Sequence, residues 1–239
     1  MRLLFAFFAA VGLGACTAPP QVAAPLPAAE DVPVSVTRAI EVTRRIEPVA
    51  EVLCRSETPQ QACDFSILVN RDPRAGVNAF QTIDPATGRP VIILTAGLIR
   101  DVRNDDELAF VIGHEAAHHI AQHLGAQQAA AQAGADFLGR QAFERGATEA
   151  EIIEAAQAGA FIGARRFSQS AELEADALGT IIACGAGFDP VLGAQFFSQL
   201  PDPGDRILGT HPPNAARMEV VRATAAQFCP QVSGVPQRS

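Results

Sequence analysis

Apolar positions recur at mostly helical spacing over residues 36–53, where Val36, Ile40, Val42, Ile46, Val49 and Val52 predict a first helix. Phe65-Ser66-Ile67-Leu68-Val69 alternates instead and reads as a strand, followed by turn chemistry from Asn70 to Gly76. Val77–Phe80 and Val91–Thr95 predict two more short strands around a loop at Asp84–Gly88, so a small antiparallel sheet is expected. The next helix starts at Asn104, a capping residue, with Asp105, Asp106 and Glu107 at the positive end of its dipole, and continues to about Leu124. Residues 125–166 are rich in Ala, Gln and Gly and predict one or two helices joined near Gly146-Ala147-Thr148; their charges exclude a membrane span. Ser168 or Ser170 can cap a helix running to about Cys184, Asp189-Pro190 opens another to Leu200, and Pro212-Pro213 begins a last one ending near Cys229. The expected fold class is α+β and mainly α-helical, its small sheet packed by the helix over 104–124.

The N-terminal pattern is of another kind. Arg2, the apolar run Leu3–Leu13 and the small Gly14-Ala15 before Cys16 make a secretory signal, and Leu13-Gly14-Ala15-Cys16 resembles a bacterial lipobox. Residues 1–15 therefore read as a lipoprotein signal peptide, Cys16 as the lipidation site and the Ala/Pro-rich residues 16–34 as a tether. Residues 35–230 form one domain and 231–239 a C-terminal tail. Thr17 lacks the acid associated with inner-membrane retention, which points to the periplasmic side of the outer membrane. The net charge is −8, every basic residue is arginine and no basic patch stands out, which argues against nucleic acid as a partner. Cys54, Cys63, Cys184 and Cys229 remain as an even set in an oxidising compartment. Of the three possible pairings, Cys54–Cys63 with Cys184–Cys229 is favoured; the absence of Cys-x-x-Cys speaks against cysteine-bound zinc.

The candidate chemistry lies in His114-Glu115-Ala116-Ala117-His118. On a helix, two histidines at i and i+4 share one face and can reach one zinc ion, while the glutamate beside the first can take a proton from water. Position 124 is leucine, which excludes the metzincin ligand pattern. In Ala171-Glu172-Leu173-Glu174-Ala175-Asp176, Glu172 and Asp176 share a face and Glu174 points away. Glu172 would bind the metal and Asp176 would orient a ligating histidine through its other ring nitrogen; the alternative is a solvated acidic face. His119 and His123 form a second pair, but Ile120 stands where a general base belongs, so structural or solvated roles are expected. His211, alone in a Thr-His-Pro loop, is either a turn residue or a group near zinc that stabilises the oxyanion or latches the open coordination position.

Taken with Ser168-x-x-x-Glu172-x-x-Ala175-Asp176, the motif resembles peptidase family M48, the gluzincin zinc peptidases, in particular its periplasmic and outer-membrane lipoprotein members. Asn78-Ala79-Phe80, Thr95-Ala96-Gly97-Leu98, Gly187-Phe188-Asp189-Pro190 and His211-Pro212 extend the likeness over about residues 75–220. Gln169, where the family often has arginine, departs from it, as does the Asp84–Arg89 loop. The resemblance implies a minimal gluzincin-like fold, one Zn2+ per chain and Glu172 as third ligand. It implies Arg217 as an anchor for the 211 loop or the substrate carbonyl, and His123 as a supporting residue. The implied activity is zinc-dependent endoproteolysis of unfolded or misassembled envelope proteins, with the membrane reached through the anchor at Cys16. Rival readings are a periplasmic chaperone or assembly factor with a latent or structural zinc site, and a zinc hydrolase of peptidoglycan or small amides.

Overall fold

The computed structural model describes residues 34–199 and 212–229. Helix α1 (Val34–Glu57) buries Ala39, Val42, Ile46 and Ala50 along one stripe, the amphipathic face that its spacing predicts. Its Arg45 reaches the carbonyls of Ala186 and Gly187 at 2.8 and 3.0 Å while stacking on Phe188.

Three strands follow, β1 (Ser66–Asn70), β2 (Ala79–Ile83) and β3 (Pro90–Thr95), in the order β1-β3-β2. β3 carries the most buried side chains and takes the centre. β2 and β3 form an antiparallel hairpin, but β1 pairs with β3 in parallel, Ser66 opposite Val91 through Asn70 opposite Thr95. The sheet is thus mixed, where an antiparallel one was expected. After β1 the chain passes a short 3-10 turn at Pro73–Ala75 and enters β2 on the far side of β3's position, so β3 returns in the direction of β1.

Helix α2 (Ala96–Asp101) is capped by the Thr95 hydroxyl, and α3 (Asp105–Ile120) by the Asn104 side chain, which accepts from the Glu107 amide. α3 runs through the core, with Leu108, Ala109, Phe110, Ile112, Ala116 and Ile120 buried. It stops short of Leu124. Gln61 caps the His119 and Ile120 carbonyls, and Gln122 turns the chain in the left-handed region at φ 57°.

Helices α4 (His123–Glu144) and α5 (Glu149–Gly185) then form a long hairpin, joined as expected near residues 146–148, with Thr148 and Glu151 making a reciprocal capping box. Their backbones touch: a Cβ on Gly159 would lie 2.0 Å from the Gly134 carbonyl oxygen. Gly159→Ala should therefore cost about 1–3 kcal/mol by forcing the two helices apart, which urea unfolding would measure; wild-type stability would show that the contact tolerates a methyl group. Phe137, Phe143 and Phe161 are exposed on this arm.

α5 does not restart at Ser168 or Ser170. It is one helix of 37 residues, with no glycine or proline between Arg165 and Leu178 to interrupt its hydrogen bonds, and Ser170 turns its hydroxyl back to the Phe167 carbonyl instead of capping. The second half of α5 crosses α3 where Gly113 meets Gly179; a Cβ on Gly179 would lie 2.9 Å from the His114 amide nitrogen. That close crossing brings the acidic face of α5 under the histidines of α3.

The helix expected from Asp189 is only α6 (Pro190–Gly193) before the chain tightens into a 3-10 turn at Ala194–Gln199; Leu200 lies outside the described residues. Helix α7 (Asn214–Phe228) packs on α5. Disulfides join Cys54 to Cys63 and Cys184 to Cys229. Among the described residues no helix is long and apolar enough to cross a membrane.

Candidate metal centre

His114 and His118 project from α3, Glu172 and Asp176 from α5, and Arg217 from α7. The Nε2 atoms of His114 and His118 lie 3.1 Å apart, and each is 3.5 Å from a carboxylate oxygen of Glu172. A tetrahedral ion with ligands at 2.0–2.1 Å spaces its donors by about 3.3 Å, so the three groups have the chemistry and the spacing to hold one. Two neutral imidazoles and one carboxylate form a donor set suited to a borderline divalent metal rather than to calcium or magnesium.

Behind this cluster stands a buried layer. His114 donates from Nδ1 to Asp176 Oδ1 at 2.9 Å. Arg217 grips the same carboxylate with a fork, Nε to Oδ2 and Nη2 to Oδ1, both at 2.7 Å. Its guanidinium lies over the Phe197 ring with Cζ at 3.3 Å from the centroid, and Phe197 also packs edge-on against His114. Arg217 is 3 % exposed and Asp176 fully buried, and Nη2 of Arg217 also lies 3.7 Å from Glu172 Oε2, so the arginine links both acids of α5.

Burial opposes the charge on His114, but its hydrogen bonds to Asp176 and Glu172 outweigh that and push its pKa up to about 9. Burial and the neighbouring His114 charge push His118 down to about 3. Asp176 resists its own burial through Arg217 and His114, which hold its carboxyl below the usual range.

Glu115 lines a cleft of about 300 Å3 together with His114, His118, Glu172 and Arg217; Val77, Ala79, Leu98, Val111, Phe196 and Phe197 supply the apolar wall. Burial raises the pKa of Glu115, while the backbone N–H of Gln81 lowers it by donating to the carboxylate. Asn78 and Asp84 hydrogen-bond toward β3, so by alternation Ala79, Gln81 and Ile83 present backbone groups along the outer edge of β2.

His119 donates to the Ala62 carbonyl at 2.7 Å and packs edge-on against Phe65, a structural role. Glu174 faces away from Glu172 and Asp176, as helical spacing demands, but it is not idle: His123 lies between it and His118. Phe197 and this contact of His123 escaped the sequence. Phe197 read as one more apolar position of a helix, and the place of His123 depends on the turn at Gln122. His211 and Cys16 lie outside the described residues.

A "Putative beta-barrel assembly-enhancing protease" of Vibrio cholerae is 34 % identical to this chain over 153 residues, a match covering 58 % of the chain and 31 % of that protein. The chain thus spans about a third of the length of this relative. The model of peptidase family M48 matches residues 37–225, the whole stretch that carries the histidines, Glu115, Glu172, Asp176 and Arg217. By that match the chain belongs to peptidase family M48.

Proposed function

We propose that the chain is a zinc endopeptidase of the bacterial envelope, with His114, His118 and Glu172 holding one zinc ion and Glu115 moving the proton. The observation that carries this reading is the convergence of the donor groups, the two Nε2 atoms 3.1 Å apart and each 3.5 Å from a different oxygen of Glu172, open to a cleft that Glu115 also lines. When bound there, zinc supplies a Lewis acid that polarises a peptide carbonyl and acidifies water. Glu115 accepts the proton of the attacking water and passes it to the departing amine, and its raised pKa suits both transfers. The outward edge of β2 can bind an extended segment through its backbone, which favours unfolded chains over any one sequence. Chelation should abolish cleavage of an unfolded protein such as casein, and one equivalent of zinc should restore it; cleavage that survives chelation would overturn the proposal.

The envelope location rests on the lipobox-like Leu13–Cys16, on disulfides suited to an oxidising compartment, and on the name of the Vibrio relative. These support a protein lipid-anchored through Cys16 on the periplasmic side of the outer membrane, acting on misassembled envelope proteins. The exposed aromatic residues of the α4–α5 arm favour a holding role beside cleavage. Metal-free protein should then still suppress aggregation of an unfolded outer-membrane protein.

The protonation pattern has its own signature. At neutral pH the metal-free site holds His114 as an imidazolium and His118 as a neutral imidazole, so zinc uptake at pH 7.5 should release about one proton, and zinc affinity should rise with pH toward about 9. Titration calorimetry in buffers of different ionisation enthalpy reads that proton directly. The charged His114 stabilises the metal-free fold fully below its ordinary pKa of 6.5, and this contribution fades as the pH climbs through about 9.

A further inference from the structure

We infer that His123 and Glu174 form a relay that positions His118, fixing the ring so that Nε2 faces the metal. The inference rests on the proposed zinc site. His114 and His118 are held in different ways. The Nδ1 of His114 meets a buried carboxylate locked by arginine, whereas the Nδ1 of His118 meets another imidazole, His123 Nδ1, at 2.9 Å. His123 Nε2 in turn lies 3.3 Å from Glu174 Oε2.

One assignment of protons satisfies all three groups. With the Nε2 lone pair of His118 turned toward Glu172 and His114, its proton sits on Nδ1 and is donated to His123 Nδ1. His123 then carries its proton on Nε2 and donates it to the Glu174 carboxylate. Either ring in the other tautomer would set two lone pairs or two N–H groups against each other. The position of His123 is built, not incidental. Its side chain is 6 % exposed, its ring packs edge-on between His118 and Phe167, and the left-handed Gln122 just before it brings the first residue of α4 under the last turn of α3. Glu174 closes the relay from the solvent side, with its side chain 62 % exposed. The relay also joins α3, α4 and α5 at the metal site, so the root of the long hairpin is tied to a ligand.

Zinc affinity, measured by competition with a chromophoric chelator, tests this without using activity. His118→Ala should lose zinc, which checks the underlying site. His123→Ala should weaken zinc by about 10- to 100-fold, the usual effect of removing a partner that orients a ligand. His123→Asn, whose side-chain oxygen can accept the same proton, should recover most of that loss, as a merely space-filling role would not. Glu174→Ala, which removes the acceptor, should weaken zinc several-fold and, being at the exposed end, leaves the fold intact. Loss of zinc by His118→Ala with wild-type affinity in His123→Ala would overturn the relay and spare the site. Zinc retained by His118→Ala would overturn both. Should His123→Ala fail to fold, unchanged affinity in Glu174→Ala overturns the relay by itself.

Discussion

Replacing Glu115 by glutamine should reduce proteolysis by roughly 10²- to 10⁴-fold, the scale of a lost general base, while the bound zinc stays in place. Glutamine has the same shape and its carbonyl oxygen can still accept the Gln81 N–H, so the wall of the cleft between β2 and α3 is preserved. What it lacks is a site for the proton of the attacking water. His114, His118 and Glu172 remain, which separates the roles of binding and proton transfer. Zinc analysis and cleavage of an unfolded protein, measured on the same preparations, check both halves. Full activity in this variant would remove Glu115 from the chemistry, and loss of zinc would make it a ligand.

Arg217→Ala carries the second large effect. Asp176 is fully buried and takes both hydrogen bonds of the arginine fork. Without that fork a carboxylate is left in the core with His114 as its one charged partner, at a cost of about 3–5 kcal/mol. Urea unfolding should show that loss, and zinc binding should weaken because Asp176 no longer holds the His114 ring in place. Arg217→Lys should fall between the two: a single ammonium cannot donate in two parallel directions as the planar fork does. A variant that removes both charges, Asp176→Asn with Arg217→Met, should regain stability over Arg217→Ala without regaining zinc affinity. Equal stability in Arg217→Ala and the wild type would show that the buried pair is not a structural support.

What the sequence made legible is what local spacing determines. The i,i+4 histidines, the shared face of Glu172 and Asp176, the cap at Asn104 and the break near Gly146 each depend on a few neighbouring residues, and each stands where the pattern places it. Both disulfides also follow from the favoured pairing. The parallel partnership of β1 and β3 depends on the path of the chain between strands, which side-chain alternation does not encode. Ser168 and Ser170 have the chemistry of caps, but a backbone already hydrogen-bonded on both sides leaves them nothing to cap. His123 sits below His118 because one residue, Gln122, adopts a left-handed conformation, and no periodicity predicts that turn. The face formed by His114, His118 and Glu172 was therefore readable, while the layer behind it was readable only in part.

The unbroken course of α5 has a consequence for how such a fold can change its length. Glu172 and the arm residue Gly159 belong to one rod, about 55 Å long at 1.5 Å per residue. Each residue added or removed between them turns one end against the other by about 100°. A single deletion there would leave Glu172 seated against α3 but swing Gly159 away from Gly134, exposing the seam of the hairpin. Insertions that survive must come in near-whole turns, roughly 7 or 11 residues, matched in α4. The reach of the arm is thus quantised, and its phase is set by the metal site at the other end of the rod.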